Sequence, residues 1–446
     1  MTNHEAILKN LPQPTLPNDS LVTKNRRKLL FLAYSFPPAR AIASVRSWSI
    51  AVNLARLGWD VIVVTPDPSV RKHVDDPSQT LAALDREGIR RILVDHKWRC
   101  LLPDSLNGRN SGVAWLIGGV CRRIAREFDI DRTIGWVKAC ERACSTLTAN
   151  DVDLILASGP PFSTFRLANR LAGRLGRPYV LDYRDPWTNK PHTPRSPRRA
   201  TVQEEARLLE GCAAATIVSP SLGLDLDQRF QVGRKLHVVT NGYNSEELAD
   251  IVPYHFGHFA IVYVGTFYPP KRVISPVLAA LKSIKGSTDN KAEDWYFHYY
   301  GAHEDHVRKE AKKFEVMHRV VLHGMVPRRQ ALSAARGASV CVVITSVEED
   351  ATIVDKGIVP GKLFELLGLG VPLLLVVPPG SDIETIARNT GGVCTFSGSD
   401  VENIASYLRG LMRGPSFETK IPESYAWTNI IKRLDIILGN AVGIES

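Results

Sequence analysis

The sequence predicts an α/β protein made of two facing Rossmann-like domains with an interdomain cleft. Three observations carry this expectation. Short Val-, Ile- and Leu-rich runs alternate with amphipathic helical patterns along most of the chain, as parallel strands covered by helices on both faces do. The alternation occurs twice, on either side of a polar stretch at 241–258. The length of 446 residues also exceeds what one core ordinarily organises, so two units of about 200 residues are the natural division.

In the first series the strands are "KLLFLAY" (28–34), "DVIVVT" (60–65), "RILVD" (91–95), "DLILASG" (153–159), "YVLD" (179–182) and "ATIVS" (215–219). Helices such as "VRSWSIAVNLARLG" (45–58) and "FRLANRLAGRLG" (165–176) lie between them. Each ends at a Gly, as a left-handed C-cap prefers. The second series begins after "HVVTNGYN" (237–244), with strands "FAIVYVG" (259–265), "WYFHYYG" (295–301), "RVVLHG" (319–324), "SVCVVIT" (339–345) and "VPLLLVV" (371–377). A last helix, about 425–440, carries apolar residues at helical spacing. The expected domains are a first at 28–240, a second at 241–424 and a closing helical segment at 425–446.

Hydrophobic content of 44% and charged content of 23% fit a soluble globular protein. No window approaches the roughly 18 consecutive apolar residues of a spanning helix. Residues 1–27 are polar, contain Pro12, Pro14 and Pro17, and lack the apolar core of a secretory signal; a disordered tail and a cytoplasmic location are expected. Of the seven cysteines, the closest pair is Cys140 and Cys144, with no nearby Cys or His to complete a tetrahedral site. Idle thiols in a reducing compartment, and no metal centre, are expected.

The charge is unevenly placed. Residues 1–240 hold 35 Lys and Arg against 23 Asp and Glu, whereas 241–446 hold 21 against 23. A basic first half suits an anionic partner such as a membrane surface, a lipid phosphate or a nucleic acid. The segment "VAWLIGGVCRRIAREF" (113–128) sets Trp115, Leu116 and Ile117 beside Arg122, Arg123 and Arg126. It reads either as an interfacial amphipathic helix or as an ordinary core-facing one.

Neither G-x-G-x-x-G nor G-x-x-x-x-G-K-[ST] occurs, which argues against dehydrogenase and P-loop chemistry. A phosphate ligand must then be held by side chains and helix N-termini. Four stretches offer them. "AYSFPPARAIASVRSW" (33–48) holds Arg40 and Arg46 in a loop feeding a helix. "ASGPPFST" (157–164) ends a strand, and Ser163 is placed to cap the next helix. "VGTFYPPKR" (264–272) follows the Gly265 turn with Lys271 and Arg272, adjacent cations suited to a diphosphate. "GIVPGKLFELLGLGVPLL" (357–374) carries Glu365 one turn after Lys362, where a carboxylate can accept both hydroxyls of a ribose.

A fifth stretch, "YVLDYRDPWT" (179–188), places Asp182, Arg184 and Asp185 directly after a buried strand. Charges at that density are costly to bury unless paired. They either project into the cleft or form a structural network in which Arg184 bridges the two acids.

Taken in order, "SFPP…R…LARLGWDVIVVT", "DLILASGPP", "VLDYRDPW", "VVTNGY", "VYVGTFYPPKR", "LHGMVPR" and "PGKLFELLGLGVPLL" resemble the GT-B glycosyltransferases of the large retaining family 4, over roughly residues 28–440. The resemblance implies a second domain that binds the nucleotide-sugar, a first domain that binds the acceptor, and a last helix that crosses back onto the first domain. It implies Lys271 as a donor-diphosphate cation with Arg272 as the alternative, Glu365 as the ribose carboxylate, and the "HGMV" loop with Gly324 and Met325 against the nucleobase. Arg40, Arg46 and Ser163 fall on the acceptor side, and Asp182, Arg184 and Asp185 at the point of transfer.

Two positions depart from the family. A Glu common eight residues before the ribose Glu is Gly357 here, with Asp355 or an acid within Glu348–Asp350 as candidate substitutes. The family's His-Asp pair is Arg184-Asp185, and a guanidinium cannot shuttle a proton. The expected activity is transfer of a sugar, with retention, from a nucleotide-sugar (UDP the expected nucleotide) to a glycan, lipid-linked or small-molecule acceptor in cell-surface polysaccharide or glycoconjugate biosynthesis. No cofactor, metal or nucleic-acid partner is expected, and peripheral contact with an anionic membrane is. The alternatives are a nucleotide-sugar epimerase of the same fold and a non-catalytic sugar-binding protein.

Overall fold

The computed structural model describes residues 26–39, 42–70, 77–95, 119–121, 123–124, 133–190, 196–284, 294–388, 390–414 and 420–443. Two parallel sheets organise them. The first contains β1 (Lys28–Ala33), β2 (Asp60–Pro66), β3 (Arg90–Val94), β4 (Leu154–Gly159), β5 (Tyr179–Tyr183), β6 (Ala214–Ile217) and β7 (Leu236–Val238), in the order β3-β2-β1-β4-β5-β6-β7. The second contains β8 (Phe259–Val264), β9 (Trp295–Tyr300), β10 (Val320–Leu322), β11 (Val340–Ile344), β12 (Leu373–Val376) and β13 (Val393–Phe396), in the order β10-β9-β8-β11-β12-β13. These are the two Rossmann-like domains the sequence predicts. Every residue of β4 and β5 is buried, as in strands covered on both faces, and the one charge among them is Asp182.

The helices that frame the cleft are α1 (Ile42–Arg56), α2 (Pro77–Arg86), α3 (Ser163–Leu175), α4 (Arg199–Gly211) and α5 (Pro220–Phe230) in the first domain. The second domain adds α6 (Ser245–Ala249), α7 (Arg328–Arg336), α8 (Ile353–Lys356), α9 (Gly361–Leu369) and α10 (Asp382–Arg388), and α11 (Trp427–Ala441) follows. Gly176 stops α3 in the left-handed region, at φ +62°, a conformation only Gly adopts without strain.

The apolar face of α11 is not spent on the second domain. Trp427, Ile430, Leu434 and Leu438 share a core with Leu29, Phe31 and Trp59. Asp435 accepts from Trp59 Nε1 and Arg27 Nη2, each at 2.7 Å. The helix therefore completes the core of the first domain.

Strand order reverses between β1 and β4 and again between β8 and β11. Ligands of open α/β sheets collect beyond the carboxyl ends of the strands at such points. The domains also touch directly beside them. Ser219 Oγ donates to the Gly357 carbonyl at 2.6 Å, and Ser221 donates from its backbone and hydroxyl to Asp382 at 2.9 and 2.7 Å. Val354 of α8 enters the core of the first domain. Among the described residues no helix is long and apolar enough to cross a membrane, and the six described cysteines are free thiols.

Candidate active-site cleft

At the end of β5 three charged residues meet three different environments. Asp182 is buried and fully partnered. It accepts from Arg46 Nη2 at 2.6 Å and Nε at 3.1 Å, from Ser158 Oγ at 2.8 Å and from Thr216 Oγ1 at 2.9 Å. Burial alone would raise its pKa, but the Arg46 charge and these hydrogen bonds outweigh it and hold the carboxyl below the usual range. Asp182 is thus a structural anchor, which corrects its placement at the point of transfer.

Arg46 is corrected with it. Expected on the acceptor side, it is 3% exposed and donates also to the carbonyls of Thr240 and Val239, tying β5 to the chain that leaves the first domain. Ser163 is corrected too. It is buried with its Oγ 2.5 Å from Thr133 Oγ1, and the residue at the N-cap of α3 is Phe162. Arg40 lies outside the described residues.

Arg184 donates to the Pro160 carbonyl, and its Nε is buried without a partner. Burial lowers its pKa, with Asp182 and Asp185 opposing. It makes no bridge to either acid. Asp185 is exposed and has no hydrogen-bond partner among the described residues. Surrounding protein nevertheless desolvates its carboxylate and raises its pKa, against the pull of Arg184 and Lys190.

The loop carrying Asp185 is pinned from beneath. Trp187 stacks on Phe162 with centroids 5.1 Å apart and planes 7° from parallel. Thr188 donates to Glu205, a buried acid on α4 whose pKa burial lifts to about 7, and Thr188 accepts from Arg229 Nη2 of α5 at 2.5 Å.

Across the cleft, the end of β8 gathers cations. Lys271 pairs with Asp355 at 2.9 Å and Glu348 at 3.0 Å. Asp355 is 2% exposed and its Oδ1 has no partner. Among the described residues Arg272 has no carboxylate partner; its guanidinium lies 5.2 Å from the Tyr268 ring centre and its Nε is buried unpaired. Lys362 likewise has no acid partner among the described residues. Its Nζ donates to the Val264 carbonyl at 3.0 Å and sits 4.0 Å over the Tyr263 ring. Burial, then repulsion from Arg272, lowers its pKa to about 7.

Backbone approaches these cations closely. Gly265 has φ +134°, and a Cβ there would lie 3.0 Å from Lys362 Nζ; a Cβ on Gly301 would lie 2.2 Å from the Gly265 carbonyl oxygen. Gly324 has φ +67° and Met325 beside it is 78% exposed. Glu365 is not free. Arg328 Nη2 reaches it at 2.5 Å, while Arg328 Nη1 pairs with Glu247.

Sequence reasoning missed Arg328 and Glu205, and it misassigned Arg46. The only local signal for Arg328 was its place after "HGMVP". Gly357 has a steric reason: a Cβ there would lie 2.7 Å from Leu222 Cγ and 2.9 Å from Leu222 N. No longer side chain fits while α5 and α8 are in contact. Among the described residues no three His, Cys, Asp or Glu side chains are placed to hold a metal ion.

Residues 43–242 match a family model described as a glycosyl transferase 4-like domain. No curated protein matches the chain in a sequence comparison. Solved structures do match over nearly the whole chain. Sucrose-phosphate synthase from Thermosynechococcus elongatus is similar with a TM-score of 0.58 and 15% identity, covering 94% of this chain and 97% of that one. A glycosyltransferase from Rickettsia africae gives 0.56 and 14%, covering 95% and 100%. HepE of Anabaena, determined in complex with UDP and glucose, gives 0.51 and 12%, covering 94% and 97%. The shared feature is the fold, the GT-B arrangement of two Rossmann-like domains.

Proposed function

We propose that this GT-B chain is a glycosyltransferase that moves a sugar, with retention, from a nucleotide-sugar to a hydroxyl of a glycan, lipid-linked or small-molecule acceptor, in cell-surface polysaccharide or glycoconjugate synthesis. The observation that carries the reading is the pair Arg272 and Lys362. Two cations without acid partners among the described residues, beside a glycine backbone that no side chain can crowd, are completed by a diphosphate. In this reading the diphosphate accepts from both cations and restores the charge on Lys362. The same donors then stabilise it as it departs, where fixed dipoles and charges act most strongly on developing charge.

UDP is the expected nucleotide; the Anabaena structure of the same fold is a complex with UDP and glucose. Lys271 contributes a third cation by exchanging one of its acid partners for phosphate oxygen. Asp355, with one oxygen buried and free, is the acid nearest the role that Gly357 cannot fill. Glu365, steered by Arg328, accepts from the ribose. Asp185 faces the transferred sugar or the acceptor hydroxyl, and Arg184 orients the loop through Pro160. The nucleotide-sugar is a co-substrate and no resident cofactor is invoked.

Calorimetric titration of UDP tests the donor site. Arg272→Ala should weaken binding by one charge-assisted contact, about 1.5–3 kcal/mol, and unchanged affinity would remove the cation pair from the site. Turnover of the UDP-sugar that most raises the melting temperature tests the chemistry. Asp185→Asn breaks no described hydrogen bond, so the melt should hold while kcat falls at least tenfold, about 1.4 kcal/mol. A stable variant with wild-type transfer overturns the role of Asp185.

A further inference from the structure

Three histidines join into a chain along one face of the second sheet. His258 precedes β8, His298 lies within β9 and His323 follows β10, and β9 pairs with both neighbours. His258 Nε2 lies 2.8 Å from His298 Nε2, and His298 Nδ1 lies 3.0 Å from His323 Nε2. The ring centres are 5.1 and 5.3 Å apart, longer than the N···N distances by two ring radii, the most those distances allow. The nitrogens therefore lie on the lines between the ring centres. The ring planes differ by only 5° and 21°. Both contacts are in-plane N–H···N hydrogen bonds.

The chain runs from the amino end of β8 to the carboxyl end of β10, where His323 opens the loop 323–326. Aromatic side chains wall it. Phe256 packs on His258 and His298, Tyr296 packs on His258, and Tyr300 stacks on His323 with centroids 4.1 Å apart and planes 1° from parallel. Charged neighbours are few among the described residues. Burial lowers the pKa of His323 and Glu304 opposes it; Arg319 lies 5.6 Å from the centre of the Tyr296 ring. Burial, then repulsion by His323 and His258, lowers the pKa of His298 to about 4, so the middle ring is neutral near pH 7.

A neutral imidazole carries one N–H, and each of the two hydrogen bonds needs one. His298 can fill only one of them, so a terminal ring fills the other. The remaining ring then keeps its proton on its outer nitrogen, Nδ1. A neutral chain thus has one outer donor and one outer acceptor. Either His323 Nδ1 bears the proton and His258 Nδ1 is bare, or the reverse. His258 and His323 are both partly exposed, and neither Nδ1 has a hydrogen-bond partner among the described residues.

We propose that His258, His298 and His323 form a proton relay that sets whether His323 offers a donor or an acceptor at the start of the 323–326 loop. In one transfer a proton from water bonds to the bare Nδ1 of His258, and the His258 Nε2 proton passes to His298 Nε2. The His298 Nδ1 proton passes to His323 Nε2, and the His323 Nδ1 proton leaves to water. Each ring gains one N–H bond and loses one, and the chain ends neutral with its polarity reversed. A ligand that accepts a hydrogen bond from His323, such as a base carbonyl, selects the tautomer in which His258 Nδ1 is bare. This consequence rests on the donor-site reading, in which the loop meets the nucleobase.

Nitrogen-15 NMR of the full chain with labelled histidine tests the relay without a substrate, at about pH 8 where ordinary imidazoles are neutral. In the wild type the fractions of Nδ1–H at His258 and His323 should add to one. Both outer nitrogens protonated, or both bare, overturns the proposal. His258→Glu sets an acceptor opposite His298 Nε2, and His258→Lys sets a donor there. His323 should be mostly Nε2–H in the first variant and mostly Nδ1–H in the second, with the ratio of tautomers differing at least threefold. The same tautomer at His323 in both variants overturns the relay, although the substituted residue never touches that ring. Saturating UDP should raise the Nδ1–H fraction at His323 and lower it at His258. UDP that binds and leaves both fractions unchanged overturns the link to base recognition. A chain that binds no UDP counts against the donor-site reading alone, and the two variants still decide the relay.

Discussion

Asp182 and Asp185 stand three residues apart at the mouth of β5 and do opposite jobs for physical reasons. Asp182 has four donors within 3.1 Å; Asp185 has none among the described residues. Asp182→Asn should therefore strand Arg46 inside the first domain and cost about 3–5 kcal/mol in a urea melt. Because the Asp182 pKa is depressed on folding, its contribution is present above the ordinary Asp value and is lost as pH falls through the folded one. Acid unfolding that begins only below about pH 4, and that moves upward in Asp182→Asn, is the expected signature. Lys362 gives the opposite dependence. Its pKa near 7 rises when a diphosphate binds, so binding takes up a proton. UDP affinity should fall as pH rises above 7, by up to about tenfold per unit, and Lys362→Met should flatten the profile; a wild-type affinity independent of pH from 7.5 to 8.5 contradicts this. The residue types of the cleft were legible because charges follow apolar runs. Their partners were not, since Arg46 and Asp182 lie 136 residues apart and Lys271 and Asp355 lie 84 apart, a distance no local pattern encodes.

Between the residue and the domain stands the contact of α5 with α8, where the two domains meet. Its tolerance is set by Gly357, whose missing side chain lets Leu222 approach. Gly357→Ala should push the two helices apart and cost about 1–3 kcal/mol, as overpacking does. Gly361, four residues on, is the control: a Cβ there meets nothing within 4 Å, and Gly361→Ala at the start of α9 should be neutral or slightly stabilising. Equal melts for the two variants would mean that the seam does not hold the domains. Elements of this kind differ in how visible they are in sequence. The central strands announce themselves because both faces are buried, so their apolar runs are continuous. The edge strands β7 and β13 escaped notice, being three and four residues long and half-buried throughout. The range expected for β10, 319–324, shrinks to Val320–Leu322 because Gly324 turns into the left-handed region and starts the loop. The last helix was legible as a helix from its spacing, whereas its seat on α1 followed only from the resemblance to a family.

Over the whole molecule the charge is asymmetric, with an excess of twelve positive charges in residues 1–240 and a deficit of two in the remainder. Most of the segment 113–128, the proposed membrane-facing element, lies outside the described residues. The part described is helical at 119–121 and 123–124, and there Val120 is 59% exposed and Ile124 49%. Two large apolar side chains four residues apart on one helical face, beside Arg123, form the minimal pattern of a helix that lies in a headgroup layer. Each basic residue near an anionic surface adds about 1 kcal/mol, screened within a Debye length of about 10 Å at 0.1 M salt. An acceptor carried on a lipid would then reach the protein from the membrane side. Co-sedimentation with phosphatidylglycerol vesicles should capture the protein at low salt and release it at high salt, and phosphatidylcholine vesicles should capture little at either. Val120→Glu with Ile124→Glu should reduce capture at low salt without lowering the melting temperature, because neither side chain is buried in the described structure. Wild-type protein that stays in the supernatant with anionic vesicles at low salt rules the membrane role out, and capture that the double variant leaves intact assigns it to the basic surface instead of this helix.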